Sequence, residues 1–225
     1  MFKERLGLAE RFVDHLCTTG LERGLIGPRE LPRIWSRHVL NCAVLHELLP
    51  EGSSVIDVGS GAGLPGLALA IARPDLAVTL VEPLERRTTW LSEVVANLGL
   101  DVRVVRARGE ELAGTLAAEY VTARAVAPLE RLADWGLPLV APGGQLLAIK
   151  GRTAQQEVET SRGHLLRAGA VAVDVVSCGG EVLDPATTVV RVRVGPDGYL
   201  AHRAGSRQRP TPRSGTARRG RRRRD

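Results

Sequence analysis

Apolar positions recur at helical spacing through the first 48 residues, at Leu6, Leu8, Ala9, Phe12, Val13 and Leu16 and again from Ile34 to Leu49. A Gly-rich break from Gly20 to Pro28 separates the two stretches, and no strand pattern occurs there. From Ser54 the texture changes to short β-branched runs alternating with helical ones. Strands are predicted over 55–58, 78–81 and 102–105, with helices over 65–72 and 84–98 between them. The alternation continues with a strand over 120–125, a helix near 129–140, a strand over 145–149 and a helix over 154–168. The last two runs, 171–176 and 188–194, have no helix between them. Parallel neighbours need a crossover, so these two are expected to pair antiparallel. The pattern predicts an α/β fold, a mostly parallel Rossmann-like sheet with an antiparallel terminal strand. Three segments follow: a helical segment 1–48, a sheet domain 49–195 and a tail 196–225, whose Gly, Ser, Pro and Arg leave little to bury and predict disorder.

Charge refines this picture. The chain of 225 residues carries a formal net charge of +6, but residues 201–225 hold ten Arg against one acid, Asp225. The first 200 residues therefore hold 21 basic and 24 acidic groups, a net of −3. A nucleic-acid partner has to be argued from individual residues, not from overall charge. Cys17, Cys42 and Cys178 form no CxxC pair, which suggests neither a disulfide framework nor a zinc site, and no metal is expected. The N-terminus lacks an apolar h-region, and the longest apolar run, 64–72, is broken by Pro65 and Gly66. A cytoplasmic protein that does not span a membrane is expected, acting as a monomer.

The most informative stretch is Val-Ile-Asp-Val-Gly-Ser-Gly-Ala-Gly-Leu-Pro-Gly at 55–66, which ends a predicted strand and opens a helix. Gly59, Gly61 and Gly63 permit a tight turn that a ligand can approach closely, and Pro65 suits a first helical turn. Such a turn at the carboxyl end of a first strand binds nucleotides or nucleosides. Read from Gly61 the stretch satisfies G-x-G-x-x-G, and Glu82, 21 residues beyond Gly61, ends the second strand where an acid would hold ribose hydroxyls. An NAD enzyme is one reading. Against it, Asp57 would repel a pyrophosphate, and the terminal antiparallel pair is foreign to dinucleotide-binding halves. An acid beside the turn would instead attract ammonium and sulfonium groups, which points to S-adenosylmethionine. The plain alternative is that Asp57 only caps the helix or holds the loop.

At Arg37-His38, DVGSGAGLPG (57–66), LVEPLERR (80–87), RGEEL (108–112), ARAVAPL (123–129) and AIKG (148–151), the chain resembles the bacterial 16S ribosomal RNA guanine-N7 methyltransferases, also called glucose-inhibited division protein B. Each string alone is modest; six in order between about residues 5 and 195 are specific. The resemblance implies a seven-stranded class I methyltransferase fold, S-adenosylmethionine as cofactor, and methyl transfer to N7 of one guanine in 16S rRNA or the small ribosomal subunit. It implies that Gly59 and Leu64 line the methionine side of the cofactor, in the turn that also contains Asp57, Gly61 and Gly63. Gly109 and Glu110 would flank the adenine, and Arg124 would reach both cofactor and target; Glu82 fits the ribose role. The sequence departs from the family at Asn41-Cys42, where many members carry Asp-Ser, and in its Arg-rich tail.

Guanine N7 has an in-plane lone pair and needs no general base, so the task is mainly alignment, which can supply ~7–11 kcal/mol. The N/D-P-P-aromatic loop expected for exocyclic-amine methylation is absent, since 123–128 reads Ala-Arg-Ala-Val-Ala-Pro. Cys42 and Cys178 lie outside the loops after strands four and five and read as buried apolar residues, not as a nucleophile for cytosine C5. Arg124 and Lys150 are the candidate catalytic residues. Arg37, His38 and Lys150 are the candidate RNA-binding residues, because N7 and O6 of guanine accept from Arg or Lys. Arg86 and Arg87 suit a solvated helix face as well as RNA contact, and Trp35, Trp90 and Trp135 read as core residues. A small-molecule methyltransferase would want a dedicated lid, and a catalytically silent RNA-binding relative a damaged turn; the sequence carries neither.

Overall fold

Strand β1 (Ser54–Val58) lies at the middle of the sheet, and its alternation sets the layers. Val55 joins the core on one face, while Ile56 and Val58 join the core on the other. In the computed structural model, which describes residues 1–124 and 127–199, β1 is followed by β2 (Ala77–Val81), β3 (Val102–Val105), β4 (Ala118–Arg124), β5 (Val140–Lys150), β6 (Ala170–Cys178) and β7 (Thr187–Val194). Their order is β3-β2-β1-β4-β5-β7-β6, and β7 runs antiparallel to both β5 and β6. The helices Gly66–Ala72 and Glu85–Leu98 pack on the Val55 face. Those of Leu129–Gly136 and Ala154–Arg167 cover the other. The strand order reverses at β1 and β4, whose carboxyl ends flank the crevice where open α/β sheets bind ligands.

The segment 1–48 shares the core of the Val55 face. Phe12, Leu16, Val39 and Leu45 have no exposed surface there. Trp90 Nε1 donates to Thr19 Oγ1 at 2.9 Å, and Asn41 Nδ2 donates to Thr187 Oγ1 at 2.8 Å, so both a helix and the first residue of β7 are tied to this segment. Asn41, where the sequence departs from the family pattern, thus has a structural partner in the sheet.

Two boundaries differ from expectation. The helix from Leu129 ends at Gly136 because Pro138 removes a donor, and β5 begins at Val140. The strand predicted over 145–149 thus starts earlier and carries a bulge at Pro142-Gly143-Gly144: the register passes from Ala118↔Val140 to Tyr120↔Gln145. Order also continues past residue 195. Gly198 N–H donates to the Gly195 carbonyl at 3.0 Å, and Tyr199 is 2% exposed in the second core, which corrects the tail boundary. The rest of the tail lies outside the described residues. Cys42 and Cys178 are core residues whose thiols burial pushes up to about 12, in keeping with an inert role. Among the described residues, no helix is long and apolar enough to cross a membrane.

Candidate active site at the switch point

The chain leaves β1 through Gly59 (φ +70°), Gly61 (φ +54°) and Gly63 (φ +78°). The glycines of this turn differ in what stands beside them. A Cβ on Gly66 would lie 2.3 Å from Leu80 and 2.9 Å from the Asp57 carboxylate, so Gly66 serves helix–strand packing, and one on Gly63 would lie 2.5 Å from Leu67, so Gly63 lets the turn pack on the helices. Gly59 lines a cleft, and the Gly61 N–H donates to Glu82 Oε2 at 3.0 Å. Leu64 is buried with the core, so with Gly63 it backs the turn and does not line the cleft.

Asp57 is placed differently from expectation. Its carboxyl is fully buried beneath the turn, where Oδ2 accepts the Gly66 N–H at 2.9 Å and Oδ1 has no partner. It supports the helix start and does not face the cleft, so neither the attraction to a sulfonium nor the repulsion of a pyrophosphate drawn from the sequence rests on it. Burial pushes this carboxyl up to about 7, with the Gly66 N–H opposing the shift. Unfolded Asp titrates near 4. The folded protein therefore holds an extra proton between these values, and stability falls as pH rises through that window. Relative to Asp57→Asn, the wild type should gain about 2 kcal/mol between pH 8 and pH 5. Urea unfolding of both proteins at the two pH values tests this, and a difference that stays constant with pH refutes it.

The cleft, about 330 Å³, opens at the ends of β1 and β2. Its walls include Val58, Val81, Leu84 and Trp135, with Gly109 and Glu110 at the end nearest Trp135. A Cβ on Gly109 would lie 2.8 Å from the Trp135 carbonyl, so only glycine leaves the walls this close. Trp135 therefore serves as a cleft wall, carrying the Arg131 guanidinium 5.2 Å from its ring centroid, whereas Trp90 is a core residue as expected. At the mouth, Glu82 is 1% exposed. Its Oε1 accepts the Leu84 N–H at 3.0 Å, and Arg87 Nη1 stands 3.5 Å from Oε2. A carboxylate offers about four acceptor sites, so capacity remains for a diol. Arg87 is thus a cleft residue, which its helical position alone did not reveal.

A second hollow, about 510 Å³ and more open, lies at the ends of β4 and β5. Arg37, Asn41, Arg124 and Lys150 line it. Arg37 is exposed, as an RNA contact requires. Lys150 is more constrained than its strand-end position suggests: its side chain is 8% exposed, and Nζ donates to the Ala127 carbonyl and to Glu157 Oε2, both at 2.8 Å. It tethers the loop after β4 and keeps one donor in reserve. His38 is buried, and its two ring nitrogens are engaged by Arg124 and Glu30. Glu30 and Glu157, which hold His38 and Lys150, carried no local sequence signal.

Residues 5–185 match the family described as rRNA small subunit methyltransferase G. Ribosomal RNA small subunit methyltransferase G of Paenarthrobacter aurescens is 56% identical over 89% of this chain and 94% of its own. The protein of that name from Thermobifida fusca is 53% identical over 99% and 94%. Among solved structures, a methyltransferase from Pyrococcus furiosus aligns with a TM-score of 0.52 at 14% identity, covering 68% of this chain and 80% of its own. A ribosomal protein L11 methylase from Lactobacillus delbrueckii subsp. bulgaricus aligns with a TM-score of 0.52 at 17% identity, covering 69% and 77%. At such identities the likeness is one of fold, that of a class I methyltransferase. The sequence matches go further, and the chain belongs to the rRNA small subunit methyltransferase G family.

Proposed function

We infer that the protein transfers the methyl group of S-adenosylmethionine to N7 of a guanine in 16S ribosomal RNA. The observation that carries the reading is the pairing, across one glycine turn, of an apolar cleft holding the buried acid Glu82 with a hollow lined by cationic donors. The cleft suits the cofactor: apolar walls for a purine beside Trp135, a carboxylate for the ribose hydroxyls, and a Cβ-free surface at Gly59. When bound there, the cofactor supplies an electrophilic methyl group. Arg124 and Lys150 then orient the guanine edge or an adjacent phosphate, while Arg37 reaches RNA at the rim. N7 uses its own lone pair, so no residue has to accept a proton, and Glu157 stays engaged with Lys150. The reaction belongs to the cytoplasm, where bacterial ribosomes assemble.

The test is a strain deleted for this protein. Its 16S rRNA should lack one 7-methylguanine, which purified protein restores when given small subunits and S-adenosylmethionine. Restoration of a methyl group at another atom, or of none, overturns the reading. The ten arginines of 201–225 add a separable expectation. Each single-strand phosphate they neutralise contributes a slope of about −0.7 in log K against log salt. Deleting the segment should flatten the salt dependence of RNA binding and leave the modified nucleotide unchanged; identical slopes would show that these arginines do not touch RNA.

A further inference from the structure

We propose that His38 is a positioning residue which, backed by Glu30, holds the Arg124 guanidinium at the acceptor hollow through an imidazole lone pair. The role of Arg124 toward RNA rests on the function inferred above; the hydrogen-bonded chain itself does not. Arg124 Nη1 lies 2.8 Å from His38 Nδ1, and His38 Nε2 lies 2.8 Å from Glu30 Oε2. A guanidinium only donates, so Nδ1 has to be the bare nitrogen. The ring proton then sits on Nε2, which donates to Glu30. Its two neighbours thus fix the tautomer.

The choice of a neutral ring has a chemical consequence. Had a carboxylate held Arg124, it would have fixed the side chain and cancelled its charge together. An imidazole fixes it and leaves the positive charge for an RNA acceptor. Glu30 stays one ring away, where Arg37 Nε at 3.5 Å and Arg33 Nη2 at 3.8 Å share its charge. His38, with an 11% exposed side chain and both ring nitrogens engaged, has no donor or acceptor left for RNA, which explains why a basic-looking Arg-His pair divides into one surface residue and one buried one.

Protonating Nδ1 would turn the acceptor into a donor facing Arg124. The charged groups facing this ring are Glu30, Arg37 and Arg124. Burial and the two arginines hold His38 below the usual imidazole range, while Glu30 opposes them. The ring is therefore neutral at pH 7, and the alignment is lost as pH falls.

The experiment compares wild type, His38→Ala and His38→Asn in methyl transfer to small ribosomal subunits from pH 5 to 8, with S-adenosylhomocysteine binding measured alongside. Asn places Oδ1 where Nδ1 stands and does not titrate. Loss of one hydrogen bond to a charged group predicts a turnover about tenfold lower in His38→Ala, with ligand binding kept. His38→Asn should recover most of the rate and lose the acid limb of the wild-type profile. Nitrogen-15 NMR of the wild-type ring should show a bare Nδ1 and a protonated Nε2. A fully active His38→Ala, an Asn variant no better than Ala, an Asn variant that keeps the acid limb, or the opposite tautomer each overturns the proposal. Should His38→Ala also lose ligand binding, the Asn profile and the tautomer decide. A wild type with the expected tautomer that does not methylate 16S rRNA would sink the inferred function and leave the hydrogen-bonded chain standing.

Discussion

Gly59→Val is expected to abolish binding of S-adenosylmethionine and of S-adenosylhomocysteine. Gly59 has φ +70° and lines the cleft, so a β-branched side chain would be both strained and placed in the ligand's space. Relief by backbone movement is blocked. The Gly59 N–H donates to the Val81 carbonyl at 2.8 Å, and the Ser60 hydroxyl donates to the Asp57 carbonyl at 2.8 Å. Losing the adenosyl contacts as well should weaken affinity by more than about 100-fold, or roughly 3 kcal/mol. Gly99→Ala separates strain from occlusion. Gly99 has φ +62° at the end of a helix, with nothing within 4 Å of a Cβ, so alanine there suffers a similar backbone penalty far from the ligand. Calorimetry should find no binding to Gly59→Val and ordinary binding to Gly99→Ala. Binding by Gly59→Val within about tenfold of wild type would mean that the turn is not the cofactor site.

The strands around that turn were legible because Val55–Ile56, Val78–Val81 and Val102–Val105 are short runs rich in β-branched residues with no competing helical period. Glu82 was legible for a related reason: its distance from the turn is fixed by one helix and one strand. What the sequence hid are contacts with no fixed spacing. Arg124 meets His38 across 86 positions, so neither side chain announces the other. Asp57 misled because a strand-end acid looks the same in sequence whether it faces the crevice or the helix. The Val55 face it shares with the helix start settles the matter, and Gly66 lacks a Cβ so that the carboxylate fits. Residues 141–144 fell outside the predicted strand because Pro142, Gly143 and Gly144 are turn formers, and only the pairing with β4 on either side of them carries β5 through.

Arg124→Ala and Lys150→Ala are expected to fail differently, although both residues end neighbouring strands beside the same hollow. Arg124 is half-buried at the rim of an open hollow. Its removal leaves His38 Nδ1 bare next to water, which can replace the lost donor, so the fold should hold. Removing one preorganised donor at a reacting centre costs about 10²–10³ in turnover, and that is the loss expected here. Lys150 is nearly buried, and two of its protons are committed to the Ala127 carbonyl and the Glu157 carboxylate. Alanine leaves both acceptors without a partner, at about 1–3 kcal/mol for the more buried, and frees the loop that follows Arg124. Stability and turnover should therefore fall together in Lys150→Ala. Adding Glu157→Gln to Lys150→Ala should restore part of the stability, because it removes the stranded charge, and none of the turnover. Thermal unfolding read beside methyl transfer distinguishes the two residues. If Arg124→Ala melts as early as Lys150→Ala, Arg124 is a structural residue and the donor facing the guanine has to be sought elsewhere in the hollow.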